Sequence, residues 1–351
     1  MKVVFYWSGL PHYAQACLRE LSTRPGVELK VYSLDSPPSF FTTQLVDFEV
    51  VDVTTPGALE KHADSVLANQ DVVVCSGWMY PELLRAIGRV RKRQDLLTIC
   101  MADTPWKSEL RQQVRAVLGR TKIRGLFDAI WIASARGIPL AHQLGFHGRA
   151  LWQGLYCADT KSWLAVPRVV DSEGGRSFAF LGRLEPEKGV DVLVEAYRSY
   201  RDSTEHPWTL KIIGDGSQCT LKDVGTEGIQ WLGALNPEAA RPILAGASCF
   251  VLPSIYEPWG VVVHEAACLG LPLILSEAVG AASELLRDGY NGRLVESRSA
   301  NHLAAAFKWV SEHRRLDALG AGSRAFGESM TVENWADMFI TRVADLKTGI
   351  I

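Results

Sequence analysis

Along the chain, short runs of apolar residues alternate with stretches whose apolar positions recur every three or four residues. In the first half the runs at 3–7, 29–33, 72–76, 96–101, 129–133 and 150–153 read as buried strands, and the segments between most of them as helices. The alternation restarts with runs at 178–181, 210–213, 230–232, 250–253, 273–276 and 292–295. This is the pattern of parallel sheets joined by crossover helices, and it predicts two doubly wound, Rossmann-like α/β domains. Residues 166–177 break it: they are polar and aperiodic, with Pro167 and the pair Gly174-Gly175, and they predict a linker beside which a cleft opens. At the end of the chain Trp335, Phe339 and Val343 recur every four residues, which predicts a helix over 332–347. The expected organisation is 1–165, linker 166–177, 178–325, and a closing helical segment 326–351 that crosses back toward the first domain.

A length of 351 residues accommodates two cores, and 47% apolar with 22% charged residues is ordinary for a globular chain. The formal charge of −2 singles out no partner, but its distribution is uneven. Residues 1–165 carry 19 Lys and Arg against 15 Asp and Glu, and the remainder carries 18 against 24. The basic residues are densest over 83–125, with eleven (Arg85, Arg89, Arg91, Lys92, Arg93, Lys107, Arg111, Arg115, Arg120, Lys122, Arg124) against Asp95, Asp103 and Glu109. Such a stretch suits an anionic membrane surface, a phosphorylated acceptor or a plain solvated face. It lacks the interleaved aromatics of a nucleic-acid surface, so no nucleic acid is expected. The seven cysteines stand singly in mostly apolar surroundings and read as buried free thiols of a reducing compartment. The apolar run after Met1-Lys2 stops at Ser8-Gly9, too soon for a signal-peptide core, and no stretch approaches the ~18 apolar residues of a membrane span. A cytoplasmic protein is expected, with peripheral association at the cytosolic membrane face as one use of the basic stretch.

Candidate chemistry collects after the predicted strands of the second half. Gly182, Arg183 and Lys188 follow the strand at 178–181 and precede a helix, where loops of open α/β sheets bind anions such as a diphosphate. After the strand at 250–253, Glu257 stands in a loop and Glu265 lies inside the helix that starts near Gly260. An ionised carboxylate can accept two neighbouring sugar hydroxyls at once, and such charge-assisted bonds contribute about 1.5–3 kcal/mol each. Glu265, among Val and Ala, needs a partner if buried; a ribose diol and a salt bridge both qualify.

The segment Gly182-Arg183-Leu184 to Lys188-Gly189, the pair Glu257 and Glu265 with seven residues between them, the turn Gly214-Asp215-Gly216 and the stretch Gly280 to Glu284 together resemble family 4 of the retaining glycosyltransferases (glycosyl transferases group 1, GT-B fold) in type, order and spacing. The likeness covers most of residues 177–310. It implies two Rossmann-like domains facing across a cleft and a nucleotide-diphosphate sugar as co-substrate, with no cofactor and no metal. It further implies that Arg183 and Lys188 hold the donor diphosphate, Glu265 the ribose, and Glu257 the transferred sugar. The backbone of Trp259, Gly260 and Val261 would approach sugar and phosphate, and Gly214 and Gly233 would border the base. Ala281 departs from a second glycine often found in the family.

The likeness is weaker in the N-terminal half. Gly9, after the first strand, matches a glycine that lets donor phosphate and acceptor approach. Asp103 stands where many relatives have a histidine near the reacting sugar; it suits either a catalytic hydrogen bond or the cap of the next helix. His12 and His264 are further candidates, each equally suited to packing, and Trp78 and Trp106 suit an acceptor platform or the core. Arg183, Lys188 and a helix N-terminus would stabilise a departing diphosphate without a metal, and the chain has no Asp-x-Asp pair. The function implied is transfer of a sugar, with retention, to a glycan, lipid-linked or small-molecule acceptor. A nucleotide-sugar epimerase or hydrolase would need acid and base residues gathered round the sugar, which the sequence does not supply. A non-catalytic donor-binding partner would not need the whole set of Arg183, Lys188, Glu257 and Glu265.

Overall fold

The computed structural model describes residues 1–34, 50–52, 58–106, 109–168 and 175–348, and the chain divides into two compact units. The first is built from β1 (Lys2–Trp7), α1 (His12–Ser22), β2 (Glu28–Ser33), β3 (Val50–Asp52), α2 (Ala58–Leu67), β4 (Val72–Ser76), α3 (Pro81–Val90), β5 (Leu97–Ala102), α4 (Leu110–Leu126), β6 (Ala129–Ile132), α5 (Ile138–Gln143) and β7 (Leu151–Trp152). Its strands form one parallel sheet in the order β3-β2-β1-β4-β5-β6-β7. Val3, Val4 and Phe5 of β1 and Val72, Val73 and Val74 of β4 are wholly buried, as expected for central strands covered on both faces. The short edge strand β3 adds a seventh strand to the six read from the sequence.

The second unit contains α6 (Thr160–Leu164), β8 (Ser177–Leu181), α7 (Val190–Asp202), β9 (Thr209–Ile213), β10 (Ile229–Gly233), α8 (Pro237–Ala245), β11 (Cys249–Leu252), α9 (Val261–Cys268), β12 (Leu273–Ser276), α10 (Ala282–Leu285), β13 (Gly292–Val295), α11 (Ala300–Ser311) and α12 (Leu316–Ser329). Its parallel sheet runs β10-β9-β8-β11-β12-β13. In each sheet the order reverses beside the unit's first strand, β1 against β4 and β8 against β11. The loops leaving those strands diverge, which opens a crevice at the carboxyl ends of the strands.

The final helix, α13 (Val332–Thr348), belongs to the first unit. Its Trp335 stacks on Trp131 with ring centroids 5.0 Å apart, and its Phe339 lies 5.4 Å from Phe5. The Trp335 indole N–H donates to the Leu155 carbonyl at 2.9 Å, and Arg24, two residues past the end of α1, reaches Asp337 at 2.8 Å. The division between units departs from the sequence expectation. Unit one is Met1–Cys157 with Val332–Ile351, and unit two is Ala158–Thr331. Residues 158–165 join the second unit because the Ala158 N–H donates to His264 on α9 and the Leu164 carbonyl accepts from Arg324 on α12. The second unit runs on past 325 because α12 lies against α9 to its end, where His264 meets the Gly327 carbonyl at 3.1 Å. Of the expected linker, 169–174 lie outside the described residues.

All seven cysteines are thiols outside any disulfide, six of them buried. Among the described residues no helix is long and apolar enough to cross a membrane. Trp335→Ala removes the largest α13 side chain from the aromatic cluster and should lower the stability of the first unit by about 3–5 kcal/mol. Urea denaturation reads this directly, and an unchanged midpoint would show that α13 is held by other contacts.

Candidate functional site

In the second unit, the loops after β8, β9, β11 and β12 are bonded to one another. Gly182 donates its N–H to the Ile213 carbonyl at 3.0 Å, and Leu184 to the Asp215 carbonyl at 2.8 Å, so the β8 loop lies along the β9 turn. Gly214 is the residue this contact requires: a Cβ there would stand 1.8 Å from the Gly182 carbonyl oxygen. Gly214 also donates to the Gly233 carbonyl at 2.8 Å, which joins the two glycines expected near a base. The Glu187 carbonyl accepts from the N–H groups of both Ile255 and Tyr256, at 2.7 and 3.1 Å, which pins the β11 loop to the β8 loop. The β12 loop closes the circuit, with Gly280 donating to the Glu257 carbonyl at 2.9 Å and Ala281 to the Trp259 carbonyl at 2.8 Å.

The side chains follow this scaffold. Lys188 and Glu257, 69 residues apart in sequence, form an ion pair whose side chains keep only 14% and 12% of their exposure. Removing either partner leaves the other a nearly buried charge, so the pair fixes the β8 and β11 loops relative to each other. Arg183 stands at the rim, half exposed, oriented by Glu187 at 2.8 Å. Glu185, held by the Ser217 hydroxyl and N–H, has its carboxyl below the ordinary value. Gly260, with φ +91°, turns the chain sharply into α9, whose first amides lack intrahelical acceptors by position. Trp259 is buried, and its indole N–H meets no acceptor among the described residues.

Glu265 occupies a different setting. Burial pushes its carboxyl up to about 7; His264 and Arg241 pull it down, Asp159 pushes it up, and a hydrogen bond with Trp163 pulls it down. Arg241 lies over the Trp163 ring at 5.0 Å. Asp159, Trp163 and Arg241 were not legible as site residues, because they come from α8 and the α6 region, far from Glu265 in sequence. His264 is explained without chemistry: it is buried, with the Ala158 N–H on Nδ1 at 3.1 Å and the Gly327 carbonyl at Nε2, so the proton sits on Nε2.

In the first unit, a cavity of about 570 Å³ lies at the crevice beside β1 and β4. Trp7 at the end of β1 and Ser8 after it, Gly77, Trp78 and Met79 after β4, and Asp103 after β5 line it, together with Tyr13 and Tyr156. Gly9 adjoins it in the β1 turn, and His12 is the first residue of α1. Asp103 is exposed there and accepts from the Tyr156 hydroxyl at 3.3 Å. It does not cap the following helix, since α4 starts at Leu110 behind Glu109. Trp78 and Trp106 both pack against the core cluster, and Trp78 also lines the cavity. The basic stretch 83–125 is not one patch. Arg85, Arg89 and Arg91 pair with Glu82, Asp64 and Asp128, while Arg111, Arg115, Arg120, Lys122 and Arg124 stand together on α4. Lys107 lies outside the described residues.

Residues 167–321, all within the second unit, match the family model of Glycosyl transferases group 1. The chain is 28% identical over 173 residues to an uncharacterized glycosyltransferase of Methanocaldococcus jannaschii, covering 47% of each chain. It is 35% identical over 144 residues to glycogen synthase of Mycobacterium tuberculosis, covering 39% of this chain and 34% of that one. These alignments thus span less than half the length of the curated relatives. Among solved structures, the Anabaena protein HepE in complex with UDP matches 98% of this chain and 100% of its own, with a TM-score of 0.77 at 17% identity. Sucrose-phosphate synthase from Thermosynechococcus elongatus matches with a TM-score of 0.74 at 16% identity, over 100% of both chains. The fold is that of GT-B glycosyltransferases.

The raised carboxyl of Glu265 has a stability consequence of definite sign. A carboxyl held near 7 in the fold but near its ordinary value when unfolded contributes stability that is full below about pH 4.5 and lost as pH rises through 7. Glu265→Gln removes that dependence. It should match the parent at pH 5 and exceed it at pH 8 by on the order of 1–3 kcal/mol, since each tenfold change in proton affinity corresponds to about 1.4 kcal/mol. Thermal melting at the two pH values checks this; a variant less stable at pH 8 would mean that pairing with Arg241 outweighs burial.

Proposed function

We propose that this chain is a retaining glycosyltransferase that moves a sugar from a nucleoside-diphosphate sugar to a glycan, lipid-linked or small-molecule acceptor. The observation that carries this reading is the convergence of Arg183, Lys188, Glu257 and the start of α9 at the crevice beside β8 and β11, inside the segment that matches the glycosyltransferase family model. Arg183, Lys188 and the α9 amides carry the diphosphate and stabilise the charge that develops as it leaves. The backbone at Gly182 lets the phosphates approach closely. Glu265 takes the ribose hydroxyls, the backbone of Trp259, Gly260 and Val261 borders the sugar, and Gly214 and Gly233 border the base. Glu257 sets Lys188 with one oxygen and offers the other to the transferred sugar.

In this reading the acceptor enters the cavity of the first unit, where Asp103, steadied by Tyr156, accepts a hydrogen bond from a second hydroxyl of the acceptor and leaves the attacking O–H to the phosphate. Attack on the face that the diphosphate leaves retains the configuration, with the departing phosphate oxygen taking the acceptor's proton. No carboxylate need serve as a nucleophile. Cationic side chains and amides supply the stabilisation a metal would give, so EDTA should leave the transfer rate unchanged; a rate restored only by added Mg²⁺ or Mn²⁺ would refute this part.

Calorimetry with UDP, GDP and ADP and their sugars tests the donor site, with UDP first because HepE was solved with UDP. One nucleotide should bind. Lys188→Ala should weaken it by about 2–3 kcal/mol and Arg183→Ala by about 1–2 kcal/mol, the range of charge-assisted bonds. Affinity should also rise from pH 6 to 8, because only the ionised Glu265 accepts both hydroxyls. Failure of every nucleotide to bind would remove the proposal.

A further inference from the structure

The helix α4 has two apolar faces, and only one of them has a partner among the described residues. Ala116 and Ile123 are its buried residues, while Leu110, Val114, Val117 and Leu118 are 78%, 51%, 61% and 75% exposed. At about 100° per residue the four exposed side chains fall within one arc of about 100°, nearly opposite Ala116 and Ile123. Arg111, Arg115 and Lys122 run along one edge of this stripe and Arg120 and Arg124 along the other, and residues 110–126 contain no acid. A helix turned only to water gains nothing from four aliphatic side chains set side by side on its outer face.

We propose that this face of α4 docks the protein on an anionic lipid bilayer, with the aliphatic stripe entering the interface and the basic edges meeting lipid phosphates. An apolar stripe between cationic margins is complementary to a surface that carries negative groups above hydrocarbon. The same margins disfavour a second copy of the chain, which would bring like charge against like charge. The cations also lack the acidic neighbours that neutralise α3. Arg85, Arg89 and Arg91 are committed to Glu82, Asp64 and Asp128, whereas on α4 Arg124 donates inward to the Phe127 carbonyl at 2.8 Å and no cation is paired with an acid among the described residues. The inward side of α4 is a wall of the first unit's cavity, through Gln112, Arg115, Ala116 and Ile123, and Met79 on the same cavity is 78% exposed. The helix that rests on lipid is therefore the helix that walls the cavity. In the acceptor role proposed above, that geometry serves an acceptor carried in the membrane.

Flotation with phosphatidylcholine vesicles, with and without phosphatidylglycerol, tests the docking surface. The full chain should float with the anionic vesicles only, and less as salt is raised. The triple variant Leu110→Ser, Val114→Ser, Leu118→Ser should lose at least about tenfold in vesicle affinity, and so should Arg111→Glu with Lys122→Glu. All five positions are exposed, so thermal melting should not change, and it monitors the fold without reference to any nucleotide. Equal flotation with neutral vesicles, no flotation, or variants that bind like the parent would overturn the proposal. So would a dimer in light scattering that the triple variant dissociates. None of these results bears on nucleotide binding, so failure here and failure of the donor site are separately visible.

Discussion

Lys188 and Glu257 put opposite charges, both largely removed from water, at the ends of two neighbouring strands whose loops otherwise diverge. A charge so placed has no inexpensive alternative partner, and the surrounding backbone is ordered to suit the pair. The Glu187 carbonyl binds two successive amides of the β11 loop, and the Glu257 carbonyl binds the loop after β12. Three loops from separate parts of the chain are thereby held as one surface, with Arg183 at its rim and the start of α9 beneath it. Recognition of a diphosphate needs such pre-arranged donors, because ordering long side chains at the moment of binding would consume much of the gain.

Sheet topology decides where this happens. In each unit the strand order reverses beside the first strand, and in each unit the groups with chemistry gather at that reversal: the Lys188–Glu257 pair in the second unit, and the cavity of Asp103, Trp7 and Tyr156 in the first. The two crevices differ in character. One is lined by charges and amides, as an anionic donor requires. The other is lined mainly by aromatic and apolar side chains with one carboxylate, which suits a larger and less charged molecule.

Much of this was legible in the sequence, for identifiable reasons. Strands such as β1 and β4 are buried on both faces, so they read as unbroken apolar runs, and Gly182, Arg183 and Glu257 follow such runs within a few positions. What escaped depends on contacts between distant segments. The boundary at Cys157–Ala158 rests on a hydrogen bond from Ala158 to His264, and nothing in the spacing of either residue announces it. Trp163 and Arg241 beside Glu265, and Tyr156 beside Asp103, come from elements that share no period with their partners. β3 is only three residues long. In α4 the apolar positions serve both an inward and an outward face, and periodicity alone does not say which residues the core takes.

The central claim is that the crevice beside β8 and β11 holds the diphosphate of a sugar donor. A crystal structure of the chain with the nucleoside diphosphate that binds tests it most directly. The account predicts diphosphate oxygens about 3 Å from the Lys188 Nζ, the Arg183 guanidinium and the first amides of α9, with the ribose hydroxyls on Glu265. A diphosphate seated elsewhere, or a ribose turned away from Glu265 with Lys188 bound to Glu257 alone, would contradict it.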